Sequence, residues 1–257
     1  MVRLENLRVG FKGRVLLGDL NVTFPEGELI ALAGPNGSGK TTLLKTIGGL
    51  ASPLFGRVWV NAIPLEGMSR RDRAAAVAFL FQRGSADWPF TVEELVFQGR
   101  YPYRRIFGAD SAEDRRAGAE AIRAAGLEGY EQRVITELSG GEFQRVLIAR
   151  AMAQEARVLL LDEPANNLDP KYQYMVMNLV KGLTKTGRTA LVSMHDLNLA
   201  GLYADRILLL SPGKVAGFGL PEEILQESLL EQVFGLPLKV SPHPEDSRYL
   251  SVSFPAR

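Results

Sequence analysis

Hydrophobic and polar positions alternate through the opening two dozen residues. In "RLENLRVGF", Leu4, Leu7, Val9 and Phe11 make an imperfect strand pattern, and in "VLLGDLNVTF", Leu20, Val22 and Phe24 keep strict alternation. "PEG" at 25–27 predicts a turn. "ELIALAG" has another texture, a short unbroken apolar run, as expected of a strand buried on both faces of a parallel sheet. A glycine loop and a helical segment, "TTLLKTIGGL", follow it.

From about residue 85 to 155 the pattern becomes helical. Thr91 and Glu94 have capping-box spacing before "VEELVFQGR". "SAEDRRAGAEAIRAAG" has an N-cap residue in Ser111 and a terminal glycine in Gly126. Apolar strands return as "RVLLLDEP", "TALVSMHD" and "DRILLLSPGKVAGFG", the first three separated by helical segments. Strands alternating with helices predict an α/β domain with a mainly parallel sheet. The helical block reads as an insertion: residues 1–84 and 156–257 form the core and 85–155 the insertion, within one domain spanning 1–257. There is no internal repeat, and the closing "LPLKVSPHPEDSRYLSVSFPAR" is too short for a separate regulatory domain.

Composition narrows the function classes. The 257 residues are 46% hydrophobic, enough for a sizeable core. Thirty basic against 29 acidic residues leave a net charge of +1, so no global basic field draws the chain to nucleic acid. Cysteine is absent and only His195 and His243 are histidines, which excludes disulfides and thiolate centres and disfavours a histidine-rich metal site. The start "MVRLENLRVG" lacks a signal-peptide pattern, and no apolar run approaches the ~20 residues needed to span a bilayer. The expectation is a soluble protein whose membrane role comes through a partner.

"GPNGSGKT", Gly34 to Thr41, fits G-x-x-x-x-G-K-[ST] at every fixed position, with an apolar strand before it and a helix after. Glycines let the backbone turn its N–H groups toward an anion, and the helix N-terminus adds partial positive charge. Lys40 reaches outer phosphates, and the Thr41 hydroxyl helps to hold Mg²⁺. Asp162 follows the buried run Val158 to Leu161, at the carboxyl end of a strand, where α/β sheets bind ligands. It is the candidate Mg²⁺ ligand, and Glu163 beside it is the candidate to orient and deprotonate water.

"LSGGEFQR" holds a second glycine pair, Gly140 and Gly141. Ser139 and Glu142 have capping-box spacing, which local helix chemistry explains. The glycines, each costing about 1 kcal/mol in a helix interior, are not explained that way. They permit a bulky anion to approach bare N–H groups. Lacking a lysine and a metal ligand, this helix start serves a nucleotide held by another phosphate loop.

With these motifs the chain resembles the nucleotide-binding subunits of ABC transporters, over nearly its whole length. The resemblance implies a P-loop NTPase (RecA-like) core with a mainly parallel sheet, an N-terminal antiparallel β subdomain and an inserted helical subdomain. It implies two copies paired head to tail, each ATP lying between one copy's Gly34, Pro35, Asn36, Gly37, Ser38, Gly39, Lys40, Thr41 and Thr42 and the other's Ser139, Gly140, Gly141 and Glu142. Phe11 matches the aromatic that stacks on adenine, often tyrosine in the family. Gln82 in "AFLFQRG" matches the glutamine that senses Mg²⁺ and water. "NNLD", Asn166 to Asp169, resembles the loop coupling the two sites, and His195 matches the γ-phosphate histidine. Glu142 stands where many members have glutamine.

The same resemblance implies ATP hydrolysis driving dimer closure, with Glu163, His195, Lys40 and Gln82 catalytic, at the cytoplasmic face of the cell membrane. "QGRYPYRRIFG", residues 98–108, is similar to a segment of the ATPases of iron–siderophore, haem and vitamin B12 importers. Its Arg100, Arg104 and Arg105 among Tyr101, Tyr103 and Phe107 suggest nucleic acid when taken alone, more commonly a solvated basic loop and, by the resemblance, a surface near the docked permease. Expected partners are a second copy, transmembrane permease subunits and, indirectly, an external binding protein, with no nucleic acid. The alternatives are an importer ATPase for a free metal ion or other cargo, a non-transport ABC ATPase, and a P-loop kinase, which would leave "LSGG" unexplained.

Overall fold

The computed structural model describes residues 1–11, 13–81, 88–104 and 111–255. Strands β1 (Val2–Phe11) and β2 (Arg14–Phe24) form an antiparallel hairpin. Val2, Leu4, Leu7 and Val9 point inward, and the phase changes between Leu4 and Leu7, where Asn6 takes a φ of 47° and the register shifts. A β-bulge is thus the cause of the imperfect alternation in the sequence. Then come β3 (Leu29–Ala33), α1 (Lys40–Ile47), β4 (Phe55–Val60) and β5 (Ile63–Pro64). The first sheet has the order β2-β1-β4-β5, antiparallel throughout.

Next follow α2 (Arg70–Ala76), β6 (Val77–Leu80), α3 (Val92–Phe97), α4 (Ala112–Ala124) and α5 (Gly140–Ala153). The chain continues with β7 (Val158–Asp162), α6 (Pro170–Thr184), β8 (Thr189–Ser193), α7 (Leu197–Tyr203), β9 (Arg206–Ser211) and β10 (Lys214–Gly219). It closes with α8 (Pro221–Ile224), α9 (Glu227–Phe234), β11 (Lys239–Pro242) and β12 (Leu250–Ser253). The second sheet runs β10-β9-β3-β8-β7-β6, parallel except at the β9–β10 hairpin.

Strands β3, β7 and β8 are buried along their whole length, which hides their alternation from a hydropathy reading. The two faces are nevertheless distinct. Ile30, Leu32, Val158, Leu160, Leu191, Leu208 and Leu210 pack with α1 and the first sheet. Leu29, Ala31, Ala33, Leu159, Leu161, Ala190 and Val192 pack on the opposite side with α5, α6 and α7, in a core continuous with α3 and α4. Burial at this scale, roughly 25 cal/mol per Å² of apolar surface, is the main stabilising term.

Helices α3, α4 and α5 each begin with a capping box, formed by Thr91 with Glu94, Ser111 with Asp114, and Ser139 with Glu142. They pack together beyond β6, and a segment of the expected basic loop is built into their base. Arg100 is not solvated: its side chain is 2% exposed and its Nε donates to Asp114 at 2.9 Å. Its Nη1 donates to the Ala153 carbonyl at 2.8 Å and to Glu155 at 2.5 Å, and the guanidinium lies 4.2 Å from the Tyr103 ring centre. The reading of this arginine as part of a solvated loop is therefore corrected. It is a structural tie, because a guanidinium taken out of water needs paired carboxylates and carbonyls. Arg105 and Phe107 lie outside the described residues.

The closing hairpin, β11 with β12, packs on α7. Asn198 holds it from both sides, its Oδ1 accepting from Val252 N–H at 2.7 Å and its Nδ2 donating to the Val252 carbonyl at 3.1 Å. Among the described residues no helix is long and apolar enough to cross a membrane.

Candidate nucleotide site

Residues 34–39 turn the chain from β3 into α1. The turn requires glycine at particular points. Gly34 has a φ of 143°, and a Cβ there would lie 2.2 Å from the Leu210 carbonyl oxygen. Gly39 caps α1 at a φ of 98°, with Leu17 where a side chain would go. Ser38 N–H donates to the Pro35 carbonyl at 3.2 Å, while Asn36 and Gly37 are exposed. The Ser38 hydroxyl is buried and has no hydrogen-bond partner among the described residues, as fits a donor meant for a ligand. Thr42 follows in the first turn of α1, its carbonyl accepting from Thr46 Oγ1 at 2.9 Å.

Lys40 is buried, and its Nζ donates to the Gly34 carbonyl at 2.7 Å and the Pro35 carbonyl at 3.1 Å. Burial pulls its pKa below the ordinary lysine value, and the charges of Glu163 and Asp162 oppose that shift. The ammonium thus stands among the carbonyls of its own loop and near the charges of two carboxylates.

Strand parity brings the acidic residues beside the loop. Asp162 continues the β7 face that carries Val158 and Leu160, the face covered by α1. Ser193 is its register partner at the end of β8 and lies on the same face. Thr41 Oγ1 donates to Asp162 Oδ1 at 3.0 Å, and Ser193 Oγ donates to the same oxygen at 2.7 Å. Glu163 takes a φ of 52°, in the left-handed region, and its N–H donates to Ser193 Oγ at 2.9 Å. This turn brings the Glu163 carboxylate, 8% exposed, against His195 Nε2. Asn166 Nδ2 donates to the other Glu163 oxygen at 2.7 Å. Ser193 is the functional residue that the motifs missed: it ties Asp162 to Glu163, and its only sequence signal was its place two residues before His195.

Oxygen donors suit a hard cation, and Thr41 with Asp162 offers a hydroxyl and a carboxylate at one point. Among the described residues no group of three or more His, Cys, Asp or Glu side chains forms a metal cage. Mg²⁺ is bound through one or two protein oxygens together with phosphates, and Thr41 and Asp162 would supply such oxygens.

The second glycine pair opens α5. Ser139 is its N-cap: its N–H and hydroxyl both donate to Glu142 Oε2 at 2.8 Å, and Tyr130 donates to Oε1 at 3.0 Å. The Ser139 amide and hydroxyl, with Tyr130, hold the Glu142 carboxyl below its usual pKa. Gly140 is exposed, and a Cβ there would meet nothing within 4 Å. Gly141 has a packing reason of its own, since a Cβ would sit 2.6 Å from Tyr172 Cγ. The account of the pair as bare backbone thus applies to Gly140, whereas at Gly141 a ring already covers one side. Phe11, at the end of β1, is 66% exposed. Gln82 lies outside the described residues.

A phosphate loop, an acid at the end of the next strand but one, and a glycine-opened helix define a nucleotide-hydrolysing cassette. The ABC transporter family model matches residues 17–166. The hemin import ATP-binding protein of Streptomyces coelicolor is 41% identical over 247 residues, covering 96% of this chain and 87% of that one. The iron(3+)-hydroxamate import ATP-binding protein of Bacillus subtilis is 38% identical, covering 97% and 93%. An inward-facing transporter described as of the metal-chelate type superposes with a TM-score of 0.83 at 27% identity, covering 98% of this chain and 95% of that one. A dimeric ATP-binding cassette with bound ADP and phosphate superposes at 0.73 with 33% identity, covering 86% and 99%. The chain belongs to the ABC transporter family. It is an ABC-type ATPase with the P-loop core and antiparallel first sheet of that family.

Proposed function

We propose that this chain is the ATP-hydrolysing subunit of an importer for a metal chelate, such as an iron–siderophore complex, haem or cobalamin. It works at the cytoplasmic face of the cell membrane as a head-to-tail pair docked on permease subunits that receive cargo from an external binding protein. The names of the relatives support the cargo class, and the dimeric cassette supports the pairing. We divide the chain into a core of residues 1–84 and 156–257 and an inserted helical subdomain of 85–155.

The observation that carries this reading is the hydrogen-bonded row Thr41–Asp162–Ser193–Glu163 beside the phosphate loop. In it Gly34 to Thr42 cradle the triphosphate, Phe11 stacks on the base, and Gln82 completes the water side. Thr41 and Asp162, with Gln82, would hold Mg²⁺, which when bound supplies charge neutralisation between the phosphates. Glu163 is the general base: it takes a proton from water as the water oxygen bonds to the γ-phosphorus. The bond from that phosphorus to its bridging oxygen breaks, and the pair of electrons leaves with ADP. His195 and Asn166 fix the carboxylate, and Lys40 offsets the charge that develops. Ser139, Gly140, Gly141 and Glu142 of each copy close over the nucleotide of the other.

The test is the solution mass of Glu163→Gln by light scattering, with and without Mg·ATP. The expected result is an ATP-dependent dimer that turns over very slowly. Wild-type turnover in this variant would remove Glu163 from the role of base. Purification with no permease from a cell that contains one would favour a non-transport ATPase instead.

A further inference from the structure

Two parts of the molecule that serve different nucleotides touch through one aromatic ring. On one side is the loop that leaves the catalytic carboxylate. Asn166 N–H donates to the Glu163 carbonyl at 3.2 Å, and its side chain donates to the Glu163 carboxylate at 2.7 Å. Asn167, at a φ of 58°, turns the chain into Asp169, which caps α6 by accepting from Tyr172 N–H at 3.1 Å. Pro170 occupies the first turn of that helix, which fixes its start. Two hydrogen-bonded links, Asn166 to Glu163 and Tyr172 to Asp169, with the short stretch of chain between them, therefore join Glu163 to the backbone of Tyr172.

On the other side is the start of α5. The Tyr172 ring lies over Gly141 so closely that a methyl there would come within 2.6 to 2.8 Å of Cγ, Cδ2 and Cδ1. The ring also stands 5.9 Å from the guanidinium of Arg145, one turn further along α5. Arg145 in turn donates to the Ala125 and Gly126 carbonyls at 3.0 and 2.7 Å, after the end of α4. Among the described residues the Tyr172 hydroxyl makes no hydrogen bond, and the ring face makes the contact with Gly141 and Arg145.

The geometry points to Tyr172 as a positioning residue that couples hydrolysis at one site to the grip on the other. Its backbone is held by the loop of this chain's own Glu163, and its ring sets the height of the α5 start that this chain lends to its partner's nucleotide. A shift of Glu163 on loss of the γ-phosphate moves Asn166 and the α6 cap. The ring then carries that movement to Gly141. Packed contacts transmit such shifts because a ring against a bare Cα has no slack to absorb them. The inference rests on the head-to-tail reading given above.

Three variants in the Glu163→Gln background, with Gly141→Ala as a reference, test it, each measured for Mg·ATP affinity as a monomer, for melting temperature and for ATP-driven dimerisation. Tyr172→Ala is expected to bind Mg·ATP within about twofold of its parent while its dimer dissociation constant rises about tenfold or more. Tyr172→Phe is expected to behave as the parent, since the hydroxyl is not used. In the third, Tyr172→Ala is combined with Gly141→Ala. The added methyl then occupies the space of the lost ring, so this double variant is expected to melt higher than Gly141→Ala alone.

In the Glu163-intact protein, Tyr172→Ala should lower the Hill coefficient for ATP from about 2 toward 1. A Tyr172→Ala protein that dimerises like its parent overturns the proposal. So does one whose dimerisation and monomer affinity fall together with melting temperature, which would mean ordinary core packing. If the parent Glu163→Gln itself shows no ATP-dependent dimer, even on the permease, the head-to-tail reading fails and this inference falls with it.

Discussion

The Thr41 hydroxyl and the Asp162 carboxylate meet at 3.0 Å across 121 positions of chain. Their meeting follows from parity along β7. Five consecutive buried residues alternate between two cores, and the fifth, Asp162, emerges on the α1 side. An even shift of register would keep the carboxylate on the α1 side but carry it along the strand out of reach of Thr41, whereas a single-residue slip would turn it to the α5 side.

Ser193 completes that row, and its removal has a defined cost. Ser193→Ala leaves the Glu163 N–H without its acceptor and Asp162 with one donor fewer. We expect a stability loss of about 1–3 kcal/mol by urea titration. The turnover number should fall about tenfold or more, with Mg·ATP affinity changed far less, because the hydroxyl orients the carboxylates and does not touch phosphate.

The glycines divide into two groups that one experiment separates. Gly34→Ala puts a methyl 2.2 Å from the Leu210 carbonyl at an unfavourable φ, so it should cost about 2 kcal/mol or more and abolish nucleotide binding. Gly140→Ala meets nothing and should raise stability by about 0.5–1 kcal/mol. It should nonetheless impair the ATP-dependent dimer. Scanning calorimetry with light scattering on both variants reads this opposition directly.

Phe11 is exposed, so its truncation should leave the melting temperature within error, a change under about 0.5 kcal/mol. Loss of an adenine stack worth about 1 kcal/mol should weaken ATP binding roughly fivefold. Tryptophan at this position should keep or improve affinity, as read by fluorescence titration with an ATP analogue.

Asp114 carries the acid sensitivity of the helical block. Hydrogen bonds from Ser111 and from Arg100 hold its carboxyl below 3.8 despite burial. A depressed carboxylate contributes stability above its unfolded pKa and loses it as pH falls through the folded value, so the loss lies below about pH 4. Ser111→Ala should flatten that acid limb relative to wild type. Arg100→Ala strands the buried carboxylate and should cost about 3–5 kcal/mol at neutral pH by denaturant titration.

What the sequence revealed depended on how local the cause was. The phosphate loop, two of the three capping boxes, the Ser111 cap and the buried β7 are set by neighbours within a few residues, and each could be read directly. Three things could not. The phase change at Asn6 depends on pairing with β2 and on the bulge there. Burial of Arg100 depends on Asp114 and Glu155, which lie 14 and 55 positions away. Ser193 gains its importance only from standing beside Asp162 on the neighbouring strand, a relation that no spacing along the chain encodes. Gly141 was read through its motif, and the ring of Tyr172 supplies a cause that the motif does not contain.

The two bonds from Lys40 to its own loop change the meaning of a familiar substitution. The ammonium is a brace, holding the Gly34 and Pro35 carbonyls in place, in addition to the phosphate contact proposed for it. An arriving phosphate competes with those carbonyls, so measured affinity is the difference between two sets of partners. Lys40→Ala therefore removes both at once, and a null phenotype in that variant does not separate lost recognition from a slackened loop. Lys40→Arg keeps the charge and the donors while changing their reach, and compared with the alanine variant it would divide the two contributions.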